Sequence, residues 1–572
     1  MKIARTYGTM ALAALSLAGT AGAAEILVSS DITTSTTWTS NNRYNLQGQI
    51  YVRPGATLTI QKGTVVASDL GGGLAVTRDA RLICQGTAAQ PVIFTSKADF
   101  NTWTAGNPNT GTWRATANEW GNLTICGNAY IGKYGQGAPS TNTAAPAAGN
   151  YANMEGLVAS SSTDTRTRYG GGNDFDTSGS LRFVSLRYGG KVVGLGNELN
   201  GLSLGGIGKE TTIDHVEIMN NVDDGIEVWG GTVDMKYISI WNIGDDSFDI
   251  DHGWRGRAQF GLIVSGYSIP GAASGSGFPD AMIEIDGAAK SDAQPVTTCS
   301  LYNFTLIGQP FATGRHAIKF RDGARMQLRN SIIMDCPAEV IRNDNTDNEA
   351  TDGQTGYGHN GTLTFAQTFT TNWNAYSAVN PFPGGSDATE YPAQSNGKLT
   401  DFTGNVFFNN TNTAAYTTAN ANNVFAAANG NIQAAATASP IQAITRGTNV
   451  ISGTLVVQPV VSLDPRPRNG ALTAATAPVD NGFWVPVTYR GAFASDSNWL
   501  CGWTAADSFG FIIDPPGGCV TQDPADINND GVVNGEDLGL LLGNWGQAGV
   551  TDVNADGTTN GNDLGLVLGA WG

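Results

Sequence analysis

The sequence predicts an all-β chain, a right-handed parallel β-helix solenoid, followed by a small all-α unit at the C-terminus. Three observations carry this expectation. Gly supplies 75 of 572 residues and charged residues only 14%; short runs of Val, Ile, Leu and Thr alternate with Gly, Asn and Asp turns, which is a text of strands and turns. One unit recurs: NVDDGIEVWGG, starting at Asn221, is followed 22 residues later by IGDDSFDIDHG, starting at Ile243. Near the end, DINNDGVVNGED from Asp526 returns as DVNADGTTNGND from Asp552, 26 residues on.

From the N-terminus, Lys2 and Arg5, the apolar stretch Met10 to Leu17 and the small residues Ala21-Gly22-Ala23 read as a secretory signal, residues 1–23. The expected location is therefore secreted, extracellular or at a cell surface. No later run reaches the roughly 18 apolar residues of a membrane helix, so no membrane span is expected. The six cysteines can pair without remainder in an oxidising compartment. Nearest-neighbour pairing gives Cys84 with Cys126, Cys299 with Cys336 and Cys501 with Cys519. The formal charge of −18 becomes −20 when Lys2 and Arg5 leave with the signal. Such a surface repels nucleic acid and anionic lipid, which excludes both as partners.

Residues 24–504 form the expected β-helix body. QIYVRPGATLTIQKGTVVASD and GLAVTRDARLICQGT, each with Gly-containing turns, read as its opening coils. In the central repeat Asp223 matches Asp245, Asp224 matches Asp246, Ile226 matches Phe248, Glu227 matches Asp249 and Val228 matches Ile250. NGLSLGG from Asn200, DAMIEIDG from Asp280 and HAIKFRDG from His316 keep the same order of apolar, variable, apolar and Gly turn. A unit of roughly 20 to 30 residues that cannot bury its own apolar face stacks on its neighbours. With period-2 strands and no crossover helices, the stack is a solenoid of parallel strands. Ile226, Phe248, Ile283 and Ile318 then form an inward column, beside Val228, Ile250, Ile285 and Phe320. Residues 365–450 are rich in Asn, Thr and Ala, with no charge between Asp401 and Arg446, and read either as loop-rich coils or as an insertion.

Several strings carry a family resemblance: TLTIQKGTVVASD, PVIFTSKAD, WGNLTICGNAYI, GSLRFVSLRYGG, NELNGLSLGGIGKETTIDHVEI, DDGIEVWGG, DDSFDIDHGWRGRAQF and YRGAFASDSNWLCGW. Over roughly residues 45–505 the chain resembles a family of secreted bacterial β-helix proteins. The resemblance implies the fold and export, and many such proteins end in sorting or anchoring modules. It implies no particular reaction.

The candidate chemistry of the body lies in Asp223, Asp224, Glu227, Asp245, Asp246, Asp249 and Asp251. Equivalent residues of successive coils stand about 4.8 Å apart. Carboxylates that close repel unless a cation, an Arg or a shared proton intervenes. Three readings stand side by side. Asp and Asn turns satisfy backbone groups; hard oxygen ligands hold one further Ca²⁺; or Asp223, Asp224, Asp245, Asp246 and the following Arg255 are catalytic. Polygalacturonases carry an NTD element and a DD element one coil later, and Asn221-Val222-Asp223 with Gly244-Asp245-Asp246 resembles that offset. The pattern then departs: His252-Gly253 follows within six residues of Asp246, with no preceding Gly and no RIK after it. A pectate-lyase-like reading places Ca²⁺ on the Asp ladder and an Arg as the base. Neither His215 nor His359 has a partner at metal spacing. Trp113, Trp120, Trp499 and Trp503 read as caps of an open core end in preference to sugar platforms.

After a linker at 505–525, which contains Pro515, Pro516, Gly517, Gly518 and Pro524, the duplicated tail spans 526–572. Each twelve-residue repeat fits a calcium loop, with oxygen ligands at positions 1, 3, 5, 7, 9 and 12 and Gly at 6. The first ligand set is Asp526, Asn528, Asp530, the Val532 carbonyl, Asn534 and Asp537; the second is Asp552, Asn554, Asp556, the Thr558 carbonyl, Asn560 and Asp563. A helical stripe follows each loop, Leu538, Leu541, Leu542 and Trp545, then Leu564, Val567, Leu568 and Trp571. Eight carboxylates from Thr521 onward, with no Lys or Arg, suit neutralisation by two Ca²⁺. With Asp at position 12, the tail resembles a type I dockerin. That implies assembly with a cohesin-like or other surface anchoring protein, although Gly535-Glu536 and Gly561-Asn562 replace the hydroxyl residues such partners commonly contact. The function expected from the sequence is a non-enzymatic, structural or adhesive β-helix displayed through a calcium-dependent tail. The alternative is a carbohydrate-active enzyme, either polysaccharide lyase or glycoside hydrolase, or a protein that binds polysaccharide.

Overall fold

The computed structural model describes residues 23–132, 149–268, 278–287, 295–311, 316–336, 340–343, 397–410, 427–515, 525–528, 533–547, 551–553 and 558–571, apart from a few isolated positions. Nine parallel strands, one per coil, stack in chain order into one sheet. They are β1 (Gln49–Val52), β2 (Gly73–Val76), β3 (Leu123–Cys126), β4 (Leu202–Ile207), β5 (Ile226–Gly231), β6 (Phe248–Trp254), β7 (Ala281–Asp286), β8 (His316–Arg321) and β9 (Ile341–Asn343). The expected inward columns are present in register: Ile226 faces Phe248, Ile283 and Ile318 in turn, and Val228 faces Ile250, Ile285 and Phe320. All eight side chains are fully buried in one continuous core. Period-2 strands send the alternate residues outward, and this puts Glu227, Asp249 and Glu284 on the opposite face.

The rest of each coil belongs to a second parallel sheet, whose long strands Gly179–Arg187, Thr212–Asn221, Asp234–Ile243, Arg257–Val264 and Thr298–Ile307 pair in series. Each bends at a residue with left-handed backbone: Phe183, His215, Tyr237, Phe260 and Asn303, with φ between 47° and 63°. The bend turns the strand around a corner of the solenoid. Its aromatic side chains stack coil on coil, with ring centroids 4.1, 4.2 and 4.9 Å apart from Phe183 to Phe260. Trp503 and Trp499 pack edge-on against His215 and Tyr237. These tryptophans, with Trp120 stacked on Phe94, are buried. They cover a corner and line the core; they are not sugar platforms.

The chain therefore returns along the solenoid before it leaves it. Residues 505–515, expected to begin the linker, pack on the body instead. The short helical turn Ala505–Ser508 offers its free N–H groups to the buried Glu217 carboxylate, from Ala505 at 2.5 Å and from Ala506 at 3.0 Å. Leu463 N–H donates to the Phe511 carbonyl at 2.8 Å, and Ile512 is buried. Within 365–450 the coils continue: Asp401–Thr403 pairs with Arg325–Arg329, Val406–Phe408 pairs with Ile332–Met334, and Ile432–Gln433 follows. Antiparallel ribbons then join Ile441–Arg446 to Val460–Pro467 and Val450–Ser452 to Leu455–Val457.

Two expected disulfides are overturned. Cys84, Cys126, Cys299 and Cys336 are free, buried thiols. Each fills a small apolar position, Cys84 in the solenoid core and Cys126 on the outer face of β3, so those two point apart. Cys519, the expected partner of Cys501, and the signal residues before 23 lie outside the described residues.

In the tail, α1 (Gly535–Gly543) and α2 (Gly561–Gly569) each begin at a capping box, Asn534 with Asp537 and Asn560 with Asp563. A small core of Ile527, Val533, Leu541, Val553 and Val567 joins them. The helical stripe is only half inward: Leu542, Trp545, Leu568 and Trp571 are about half exposed, because two short helices cover only one side of each other. No helix among the described residues is long and apolar enough to cross a membrane. Ile283→Ala removes three carbons from the centre of the inward column, and should cost about 2–5 kcal/mol in urea unfolding of the full chain. An unchanged midpoint would show that the column is not the core.

Candidate functional site on the outer face of the nine-stranded sheet

The acidic set assembles at the outer face of β5 to β8 and at the turns that lead into those strands. The turn residues divide by role. Asp246 N–H donates to Asp224 Oδ1 at 2.9 Å, and Ala281 N–H donates to Asp246 Oδ1 at 2.5 Å. Asp224 and Asp246 are buried and staple one coil to the next, as turn aspartates do. Asp223 and Asp245, immediately before them, are partly exposed.

The strand residues form the column proper. Glu227, Asp249 and Glu284 occupy equivalent positions of β5, β6 and β7, and Lys319 of β8 follows in the same register. In the neighbouring column Asp251 of β6 follows Trp229 of β5, and Arg321 of β8 pairs with Asp286 of β7. Lys319 donates to Glu284 at 3.0 Å, and Arg321 also bonds Glu284. Asn200 donates to Glu227.

Burial and mutual repulsion shape the proton affinities. Loss of hydration, the largest cause, pushes Asp224, Glu227 and Asp246 well above the usual carboxylate range, and the neighbouring acids add to it. Asp249 is pushed up to about 7, by burial first and by the Asp251 charge second; Arg321 and a hydrogen bond from Glu227 offset part of this. Three groups place carboxylate oxygens within 4.8 Å of one another: Asp223, Asp224 and Asp245; Asp224, Glu227 and Asp249; Asp246, Asp280 and Glu284. Hard oxygens so arranged would suit Ca²⁺.

Arg255 stands elsewhere. It is fully buried and gives a two-pronged bond to Asp174, 2.6 Å on each arm, with a further contact to the Tyr130 carbonyl. The reason is local. Trp229 pairs with Asp251 and Gly231 with Trp254, so β6 holds one extra residue, a bulge at His252-Gly253. With its backbone left-handed (φ 48°), His252 accepts or donates at Tyr169 Oη (2.9 Å) and lies 3.1 Å from Asp251. The cations that meet the column are Lys319 and Arg321. The repeat holds a signal for both, since aligning HAIKFR with AMIEID sets Lys319 opposite Glu284 and Arg321 opposite Asp286. Tyr169 comes from outside the repeat, and nothing in the sequence singled it out. His215 is a corner residue, bonded to Asp214 inside the aromatic stack.

In the tail, Asp537 accepts the Asn528 and Asn534 N–H groups at 3.0 and 2.8 Å, and Asp563 accepts that of Asn560 at 2.8 Å. Asp526, Asp537, Asp552 and Asp563 are buried. Asp530, Val532, Asn554 and Asp556 lie outside the described residues.

A stack of parallel coils defines a β-helix protein, here with an acidic candidate site on the sheet surface. The chain belongs to the family of pectate-lyase-like β-helix domains, whose model matches residues 30–447. Comparison with the curated proteins and with the solved structures finds no match.

Carboxyls with raised proton affinity stay protonated in the folded chain at pH values where the unfolded chain, with ordinary values near 4, has lost those protons. Stability in the absence of divalent ions should therefore be greatest near pH 4–5 and fall as pH rises through about 7, the value that Asp249 reaches. Thermal unfolding between pH 5 and 8 in EDTA checks this. A midpoint that rises over that range would contradict the electrostatics of the column.

Proposed function

We propose that this chain is an exported carbohydrate-active protein that engages polysaccharide on the outer face of the nine-stranded sheet, with Glu227, Asp249 and Glu284 as its chemical centre. One observation carries the reading. A chain of the pectate-lyase-like β-helix family sets three carboxyls in register on an outer face, and the middle one has a proton affinity close to neutrality. General acid–base catalysis is most effective when the group titrates near the working pH. Glycoside hydrolysis uses two carboxyls, one protonated and one ionised. Glu227 and Asp249, close enough to share one proton, form a dyad that can supply the protonated partner. In a lyase the same oxygens would instead hold Ca²⁺ against a uronate, and Lys319 and Arg321 would balance charge. The family supports this reading, the sequence-based alternative, better than a purely structural or adhesive role.

A second reading concerns the tail. The two capped loops repeat each other's hydrogen bonds, with buried Asp537 and Asp563 at matching places. We propose that residues 526–572 bind two Ca²⁺ and attach the exported body to a surface anchoring partner of cohesin-like type.

The full chain should cleave or bind a member of a panel of acidic and neutral polysaccharides, read with and without Ca²⁺ by ultraviolet absorbance and by new reducing ends. The double variant Glu227→Gln with Asp249→Asn should lose activity by about 10²-fold or more, with its thermal midpoint unchanged or raised. Silence across the panel, or full activity in the variant, would sink the reading. For the tail, calorimetric titration should show two Ca²⁺ sites that are lost in Asp526→Ala with Asp552→Ala; a variant that binds as many Ca²⁺ as the parent would contradict it.

A further inference from the structure

We propose that this outer face receives polysaccharide by its end, with the terminal unit stopped at the edge of a roof, beside Tyr169 and Glu155; the inference rests on the polysaccharide reading above. The argument begins with a change along the face. From β1 to β4, and over Trp229 of β5, the outer face is roofed: Tyr51, Cys126 and Trp229 are buried beneath Met154, Leu157 and Tyr169 of the segment 149–171. The roof is built in. Its strands Ala152–Asn153 and Arg168–Tyr169 pair with each other, Gly170 N–H donates to the Gly127 carbonyl at 2.9 Å, and Arg166 lies 4.7 Å over the Tyr51 ring.

Glycine makes the close approach of the roof possible. A Cβ at Gly205 of β4 would stand 2.5 Å from Met154 Cε and from Tyr169 Cγ, so only glycine lets the roof rest on the strand. One coil further the face changes character. The outward position after buried Trp229 is Asp251, and its side chain and that of Arg321 two coils on are 20% and 29% exposed. Tyr169 forms the edge of the roof at this step, through its bond to His252. Glu155 belongs to the roof, and its charge acts on Glu227.

The carboxyl column therefore begins where the roof ends. Its coil-to-coil spacing of about 4.8 Å is close to the length of one sugar unit in an extended chain, so a polymer laid along the column meets one coil per unit. Such a polymer cannot run on past Glu227 over β1 to β4, because that surface is filled. A wall at one end of a face is the geometry of an end-wise enzyme or of a chain-end receptor.

The test uses the full chain with the polysaccharide that scores in the panel and with end-labelled oligosaccharides of it. The inference expects early products of one short size with little loss of viscosity, or, for a non-cleaving protein, binding abolished by a bulky label at one end and unaffected by the same label at the other. Early products of mixed size, or binding indifferent to both labels, would overturn the inference and leave the polysaccharide reading standing. No interaction with any polysaccharide would overturn both. Gly205→Ala, which pushes Met154 and Tyr169 away from the strand, should turn one-size products into mixed ones. Should that variant not fold, Glu155→Gln should weaken binding of a free chain end at least threefold with an unchanged circular dichroism spectrum; unchanged affinity would count against the wall.

Discussion

Everything in this molecule follows from parallel coils stacked in register. Backbone bonds between successive coils fix a rise of about 4.8 Å per coil, and each side chain then stands on its counterpart above and below. For apolar residues this is favourable: Ile226, Phe248, Ile283 and Ile318 bury one another completely. For aromatic residues at the left-handed corner it produces the stack from Phe183 to Phe260. For carboxylates it forces like charges together, and the structure handles this in three ways. Turn aspartates accept backbone N–H groups of the next coil, Lys319 and Arg321 meet Glu284, and the middle of the column keeps protons. Of these, the retained proton is the one that the proposed chemistry uses.

The solenoid was legible because its inward positions obey a period of two within strands and a recurring unit between them. Two copies at an offset of 22 residues sufficed to align Ile226 with Phe248 and Val228 with Ile250, and the register agrees. The corner residues were not legible. A left-handed backbone at Phe183, His215 and Tyr237 is set by the bend of the sheet, and residue type does not announce it. The place of residues 505–515 was hidden for a similar reason. Their helical turn is held by Glu217, nearly 290 positions away in the chain, and a Pro- and Gly-rich neighbourhood masks that contact.

The site was half legible. Repeat spacing brought Asp223, Asp224, Glu227, Asp245, Asp246 and Asp249 together before any coordinates. Sequence adjacency misled at Arg255, where one extra residue in β6 redirects the chain and the guanidinium finds Asp174. The roof over β1 to β4 interrupts the repeat, and Tyr169 and Glu155 reach the site only through the tertiary fold. Cysteine counting failed for Cys84, Cys126, Cys299 and Cys336, of which Cys84 and Cys126 face different cores. An even number of cysteines says that pairing is possible, but strand direction decides it.

Membership of the pectate-lyase-like β-helix family directs attention to the sheet surface, and the outer column is where the proposed chemistry sits. Amide hydrogen exchange of the full chain, with and without a saturating oligosaccharide ligand, tests this location most directly. The account predicts added protection across β5 to β8, residues 223–231, 245–254, 280–286 and 316–321, together with the roof edge around Tyr169. Protection confined to the second sheet or to the tail, with the outer column unchanged, would contradict it.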